Sequence, residues 1–271
     1  MEIINFTIGA DPELFIINTK TDSVVSSIGI IPGEKGNAWR SDDMPDGFGL
    51  EIDNILAEFN IPPCKTRDEF ISSINYMKDY IRTFVKNVNP DYDIRCIASQ
   101  FVPWDQLQSD EAKLFGCSVS YNAYTESPNE KPNGATTNLR SAGCHLHCGY
   151  DNPNIETSLN IVKMFDLCLG VPSVIFDNDT NRRSLYGKAG DFRLCEYGVE
   201  YRSLSSFMMN DNNLLNFIWN GILLSIKMIN DNVDISNFKN DVVSCINNSD
   251  VSLAKKICNE LNFKSLLNIS Y

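Results

Sequence analysis

Apolar residues in the first sixty positions come in short runs broken by turn formers, the pattern of strands rather than of helices. Residues 3–8 read as one strand, Gly9-Ala10-Asp11-Pro12 as a break and residues 13–18 as its return, which predicts an opening hairpin. Gly and Pro then punctuate residues 29–49, a segment expected to be a functional loop, before a strand-like run over 50–61. The period changes at Thr66-Arg67-Asp68-Glu69, which has capping-box spacing. Phe70, Ile71, Ile74, Met77, Ile81, Phe84 and Val85 follow at helical intervals and predict a helix to about Asn87. Further on, 94–99 predicts a short strand, 105–115 a helix, 125–138 a polar lid-like loop and 144–150 a strand. Asn154 caps a predicted helix to about Cys168, 171–177 stays apolar, and a basic loop over 181–190 precedes two short strands near 192–195 and 199–204. Three amphipathic helices are expected near 212–230, 234–247 and 250–260 as packing elements. The chain therefore reads as a single unit, with the strands and chemistry in 1–210 and a helical packing segment in 211–271.

Composition changes this picture mainly by exclusion. With 271 residues, 43% hydrophobic and 21% charged, the chain can bury a core without disulfides. Its net charge of −12 opposes broad nucleic-acid binding. A local cluster of cations with divalent ions still admits a small anion such as ATP. Nine cysteines without a regular framework, and an opening Met1-Glu2-Ile3-Ile4-Asn5 unlike a secretory signal, lead us to expect a reducing cytoplasm. The apolar run 217–229 is interrupted by Asn220, Gly221, Ser225 and Lys227, so no membrane span is expected.

The candidate chemistry lies in four places. His145 and His147, the only two histidines, fall on one face of a strand at i, i+2 spacing and suit metal or phosphate contact; two hydrogen-bonded sheet histidines are the plainer alternative. Cys144 and Cys148 fall on the opposite face, which argues against a zinc site built from Cys-His-x-His-Cys. Glu200 and Arg202 repeat the one-face pattern, beside the plainer reading of a weak surface pair. Glu13 opens an apolar strand, and Glu51, Asp53 and Glu58 lie inside another. Glu51 and Asp53 share one parity and Glu58 the other, so they converge only across a bulge or serve different faces. Arg182, Arg183, Lys188 and Arg193 concentrate cations in an acidic chain, either for phosphate or as a solvated loop; no Walker-type loop is present. Acids from three strands, a histidine pair and a basic loop together suit two or more Mg²⁺ ions held against a polyphosphate.

Gly9-Ala10-Asp11-Pro12-Glu13-Leu14-Phe15, Glu58-Phe59-Asn60-Ile61-Pro62, Ala142 to Gly149, and Tyr186 to Arg202 resemble, in order, the phage-type carboxylate-amine ligases (COOH-NH2 ligase, type two) of the glutamine synthetase and glutamate-cysteine ligase superfamily. The resemblance implies an α+β fold, a curved antiparallel sheet of glutamine synthetase type with helices on its convex face and a helical C-terminal region. It implies ATP- and Mg²⁺-dependent amide formation through an acyl phosphate, with Mn²⁺ able to substitute. By motif, Glu13, Glu58, His147 and Glu200 would contact metal, with His145 beside them, and Arg202 would face the transferred phosphate. Arg182, Arg183, Lys188, Arg193 and Arg140 would neutralise ATP or the substrate carboxylate, and Asp53 would ligate metal or orient an amine. The substrates would be an amino acid or peptide carboxylate and an amine acceptor, with a host protein or peptide as one target. Against this stand a catalytically silent phage-type binding protein on the same fold, an ATP-dependent phosphotransferase and a zinc hydrolase.

Overall fold

The computed structural model describes residues 2–113, 119–130 and 136–266. Twelve strands occur among them: β1 (Phe6–Asn18), β2 (Ser23–Val25), β3 (Gly49–Asp53), β4 (Leu56–Cys64), β5 (Tyr92–Arg95), β6 (Ser99–Phe101), β7 (Tyr121–Asn122), β8 (Ser127–Pro128), β9 (Leu139–Ser141), β10 (Cys144–Tyr150), β11 (Asp191–Cys195) and β12 (Gly198–Tyr201). Ten of them form one antiparallel sheet, in the order β3-β4-β1-β10-β12-β11-β7-β8, while β2 and β5 pair with the far half of β1. β6 and β9 pair separately. The class is α+β, as expected.

Helices are α1 (Arg67–Val88), α2 (Asp110–Lys113), α3 (Ile155–Phe165), α4 (Val171–Phe176), α5 (Arg182–Leu185), α6 (Asn212–Asn230), α7 (Lys239–Asn248), α8 (Val251–Glu260) and α9 (Phe263–Leu266). α1 begins where its sequence says: Thr66 accepts from the Glu69 amide, and the Glu69 carboxylate accepts from the Thr66 amide in return. Phe70, Ile74, Met77, Ile81 and Val85 then form a fully buried stripe, each side chain contributing about 1.5–3 kcal/mol of burial. α1 packs on β4 and β5, α3 on β11 and β12, and α6 on both helices. Phe70 meets Trp219 of α6, and Phe165 of α3 meets Tyr201 edge-on. This helical layer takes the apolar face of the sheet, including Cys144, Leu146, Cys148, Val199 and Tyr201, and leaves the opposite face to polar side chains.

Four local expectations change. The break at Gly9 to Pro12 is absent, because β1 runs through it and Pro12 sits opposite Cys144 in register. The run 50–61 is itself a hairpin: Asn54, at φ +60°, turns β3 into β4. The predicted helix over 105–115 is reduced to a 3₁₀ turn at Trp104–Leu107 and the short α2, its last part lying outside the described residues. The 94–99 strand is two strands, β5 and β6, with residues 96–98 between them.

The helix after Asn154 runs on through a π-helical segment, Asp166–Gly170, into α4. Ile155–Phe176 is long and apolar enough to cross a membrane, but 78% of its apolar window is buried inside the protein, as befits a core helix. Asp166, wholly buried in that segment, accepts hydrogen bonds from the Tyr201 hydroxyl (2.8 Å), the Gly190 amide (2.6 Å) and Ser203 Oγ (3.2 Å). It thereby ties the helical layer to β12 and to the loop before β11.

Candidate functional site

The polar face of the sheet gathers its acids and histidines by strand register. Arg193, Glu200, His147 and Gly9 lie in one row across β11, β12, β10 and β1, and Asp11 lies opposite His145. Glu13, Glu58 and Glu51 form a second row across β1, β4 and β3. Asp53 shares the face of Glu51, two residues earlier on β3. The hairpin at Asn54 thus resolves the parity conflict, since reversing the chain puts Glu58 directly opposite Glu51.

Two groups of ligand atoms result. In the first, one atom each from Asp11, His147 and Glu200 lie within 4.8 Å of one another; in the second, the same holds for Glu13, Asp53 and Glu58. His145 stands between Asp11 and Glu200, with Nδ1 3.3 Å from Asp11 Oδ1 and 3.6 Å from Glu200 Oε1. His147 Nε2 is 3.1 Å from Asp11 Oδ1, and its Nδ1 is hydrogen-bonded with the Tyr197 hydroxyl. Even so, Asp11 Oδ1, His145 Nδ1 and His147 Nε2 are buried without a geometrically sound hydrogen bond, as are Asp53 Oδ1 and Glu58 Oε2. Buried oxygen and nitrogen donors left this way are what a divalent cation would satisfy. The all-carboxylate set suits Mg²⁺ or Mn²⁺, and the mixed set, with its one imidazole, admits these and softer divalent ions such as Zn²⁺ or Fe²⁺.

Electrostatics separate the two groups. Burial raises the Asp11 carboxyl, but His145 and His147 outweigh it and hold Asp11 below the usual carboxylate range. His147 is carried up to about 10 against its burial, chiefly by Asp11. Glu200, also buried, is held low by Arg202 and Arg193. Arg193 grips Glu200 with two bonds, Nε–Oε2 at 2.5 Å and Nη2–Oε1 at 2.8 Å, while Arg202 Nη1 bonds the same Oε1. In the second group burial dominates. It pushes Glu58 well up, helped by Asp11, Asp53 and Glu13, and it raises Glu13 with help from Asp53. The Gly143 amide donates to Glu13 Oε2 at 2.6 Å, and Lys35 Nζ lies 2.6 Å from Asp53 Oδ2. A cavity of about 30 Å³, lined by Glu13, Asp53, Gly143, His145 and Arg202 among others, adjoins these residues. It holds an ion or a couple of waters rather than a nucleotide.

The structure brings together Glu13, Asp53, Glu58, His145, His147, Arg193, Glu200 and Arg202. It treats the other expected cations differently. Arg182 donates to the carbonyls of Ala142, Arg202, Ser203 and Leu204. Arg140 donates to Asn54 Oδ1 and to the carbonyls of Ala112, Thr137 and Leu139. Both line the cavity, and their guanidinium groups brace main-chain carbonyls there. Arg183 is buried on the helical side, bonded to Ser173 and Ser249 and within reach of the Asp177 and Asp179 charges. Lys188 is exposed on the loop before β11. Cys144 and Cys148 are wholly buried in the core, where burial pushes the Cys148 thiol up to about 12, so neither joins the histidines as a zinc ligand.

Sequence reasoning missed Asp11 and Lys35. Asp11 was assigned to a turn, though its i, i+2 relation to Glu13 was the available signal; Lys35 lies in a loop with no periodicity to read. No curated protein matches the chain. Residues 134–239, which contribute His145, His147, Arg193, Glu200 and Arg202 but neither Glu13 nor Glu58, match the family model described as Phage phiEco32-like COOH.NH2 ligase-type 2.

Proposed function

We propose that this chain is an ATP-dependent carboxylate-amine ligase that joins an amino acid or peptide carboxylate to an amine, with release of ADP and phosphate. The observation that carries the reading is the pair of adjoining ligand groups, each with buried donor atoms lacking hydrogen bonds, set against Arg193 and Arg202 on one sheet face. The sheet would then be of glutamine synthetase type, with its polar face the concave one. Asp11, His147 and Glu200 would hold one Mg²⁺ and Glu13, Asp53 and Glu58 another. Ions held there would supply the positive charge that a polyphosphate and a phosphoryl group in transfer require.

The protein's own residues supply orientation and charge. Arg202 is 5% exposed and borders the cavity, so its fixed guanidinium suits the equatorial oxygens of a phosphoryl group in transfer. Glu200 keeps Arg193 and Arg202 side by side and accepts from both. The Gly143 amide fixes one Glu13 oxygen and leaves the other free to bind. The cavity itself takes an ion or water, and the bulk of a nucleotide would extend beyond its mouth.

The test is the melting temperature with a non-hydrolysable ATP analogue, with and without Mg²⁺, for wild type and Glu58→Gln. A shift that needs Mg²⁺ and disappears in the variant supports the site, and a screen of amino acids and peptides for amine-dependent ADP release then identifies the substrates. No shift at saturating ligand, in a folded protein, would replace the ligase by a silent binding protein.

A further inference from the structure

The three carboxylates of the second group are not left without a counter-charge. Lys35, on the loop that precedes β3, reaches into them: its Nζ is 2.6 Å from Asp53 Oδ2, and Glu58 and Glu13 are near enough to act on its charge. The loop is built to deliver this side chain. Glu34 and Asn37 exchange main-chain hydrogen bonds around Lys35, Trp39 pairs with Leu50, and the Ile52 amide donates to the Gly33 carbonyl. The Gly36 amide, next to Lys35, donates to Glu51 Oε2 at 2.9 Å. The Lys35 side chain nevertheless keeps 38% of its surface exposed, so its stem lies at the mouth of the group and has an open path outward.

The ammonium leaves the group unfinished. It contacts Asp53 Oδ2, while Asp53 Oδ1 and Glu58 Oε2 stay buried without a hydrogen bond, on residues each 6% exposed. One positive charge also faces three carboxylates. A Mg²⁺ ion on the same Asp53 oxygen would lie about 2.1 Å from it, hence within about 4.7 Å of the ammonium, too close for two cations to share the group comfortably.

We propose that Lys35 is a tethered counter-ion for Glu13, Asp53 and Glu58, and that its ammonium and a divalent cation hold these carboxylates by turns, the arriving ion displacing the side chain toward solvent. This rests on the reading of the group as an ion site. Lys35 then weakens ion binding there selectively, offsets part of the buried charge in the free protein, and makes the exposure of its own ammonium report on occupancy. Among the described residues no lysine pairs with the Asp11, His147 and Glu200 group, whose counter-charges are the histidines and Arg193 and Arg202.

The experiment is a Mn²⁺ titration of the full chain, with free aqueous Mn²⁺ followed by electron paramagnetic resonance, for wild type, Lys35→Met and Lys35→Arg. Met keeps the stem and removes the charge; Arg keeps the charge. The expected result is two ions per chain, with the weaker one bound about tenfold or more tightly in Lys35→Met and not in Lys35→Arg. In the unsubstituted protein, Mn²⁺ should raise the acetylation rate of Lys35 relative to Lys20, read by mass spectrometry. Two bound ions with unchanged or weaker affinity in Lys35→Met, or unaltered Lys35 acetylation at saturation, overturns the counter-ion proposal alone. Absence of any bound Mn²⁺ in all three proteins overturns the ion reading and the proposal together.

Discussion

Glu58 faces Glu13 on one neighbouring strand and Glu51 on the other, so register alone surrounds it with like charge. Because its folded pKa is raised, its favourable contribution is complete below the unfolded value of about 4.3 and is lost as pH rises through the folded value. Glu58→Gln should therefore stabilise the ion-free protein at neutral pH, by about 1.4 kcal/mol for each pKa unit relieved, while weakening Mg²⁺ and Mn²⁺ binding. Urea unfolding with and without ion measures both. Glu200 has the opposite sign. Its pKa is depressed, so its stabilisation is present above the unfolded value and lost as pH falls through the folded one. Glu200→Gln leaves Arg193 and Arg202 facing each other and should cost about 3 kcal/mol even without ion, seen in the same experiment. Gly143 supplies a steric test. A Cβ there would lie 2.5 Å from His145 Nε2, so Gly143→Ala should turn the ring aside and weaken ion binding by the Asp11 group, with little loss of fold.

At the scale of elements, the turn between β3 and β4 decides the site. Asn54 holds φ +60°, accepts at Oδ1 from Arg140 Nε at 3.0 Å and donates to the carbonyls of Glu111 and Ala112. Asn54→Gly should lose only the side-chain bonds, while Asn54→Ala should lose a further 1 kcal/mol or so to backbone strain, a difference that paired melting curves resolve. This turn also marks what the sequence could reveal. Capping residues and helical periodicity placed α1 to within a residue at its start, and the alternation through Cys144, His145, Leu146, His147 and Cys148 assigned each side chain its face. The hairpin at Asn54 stayed hidden because Leu50 to Ile61 has no Gly or Pro and its Asp53-Asn54 turn is flanked closely by apolar residues, and Gly9 to Pro12 misled because strand pairing on both sides overrode turn propensity. The partners of the arginines were illegible for a related reason: composition shows charge, but only packing shows which guanidinium groups bond to carbonyls and which to carboxylates.

For the whole molecule, stability against pH combines two buried acid systems with different sensitivities. Asp166, raised by burial to about 7, is stabilising below an unfolded value of about 3.9, and that contribution disappears as pH rises through 7, a change on the order of 4 kcal/mol. The Glu13 and Glu58 group adds a loss of the same sign. Saturating Mg²⁺ should abolish the second slope and leave the first, whereas Asp166→Asn should do the reverse, as urea unfolding between pH 4 and pH 8 will show. Persistence of the full slope in the presence of both changes would mean that other groups dominate.

Asp11 and Glu13 belong to different ligand groups yet stand on one strand with only Pro12 between them. Their Cα atoms are separated by two strand steps, about 6.8 Å, a length fixed by the pleat and further stiffened by the proline ring. The spacing between the two ligand groups is thus written into covalent backbone, not negotiated by side-chain packing. On the ligase reading, segments such as 29–49 and 119–130 could diverge to meet new reactants without disturbing that interval, much as a vernier keeps its scale while the object beneath it is exchanged.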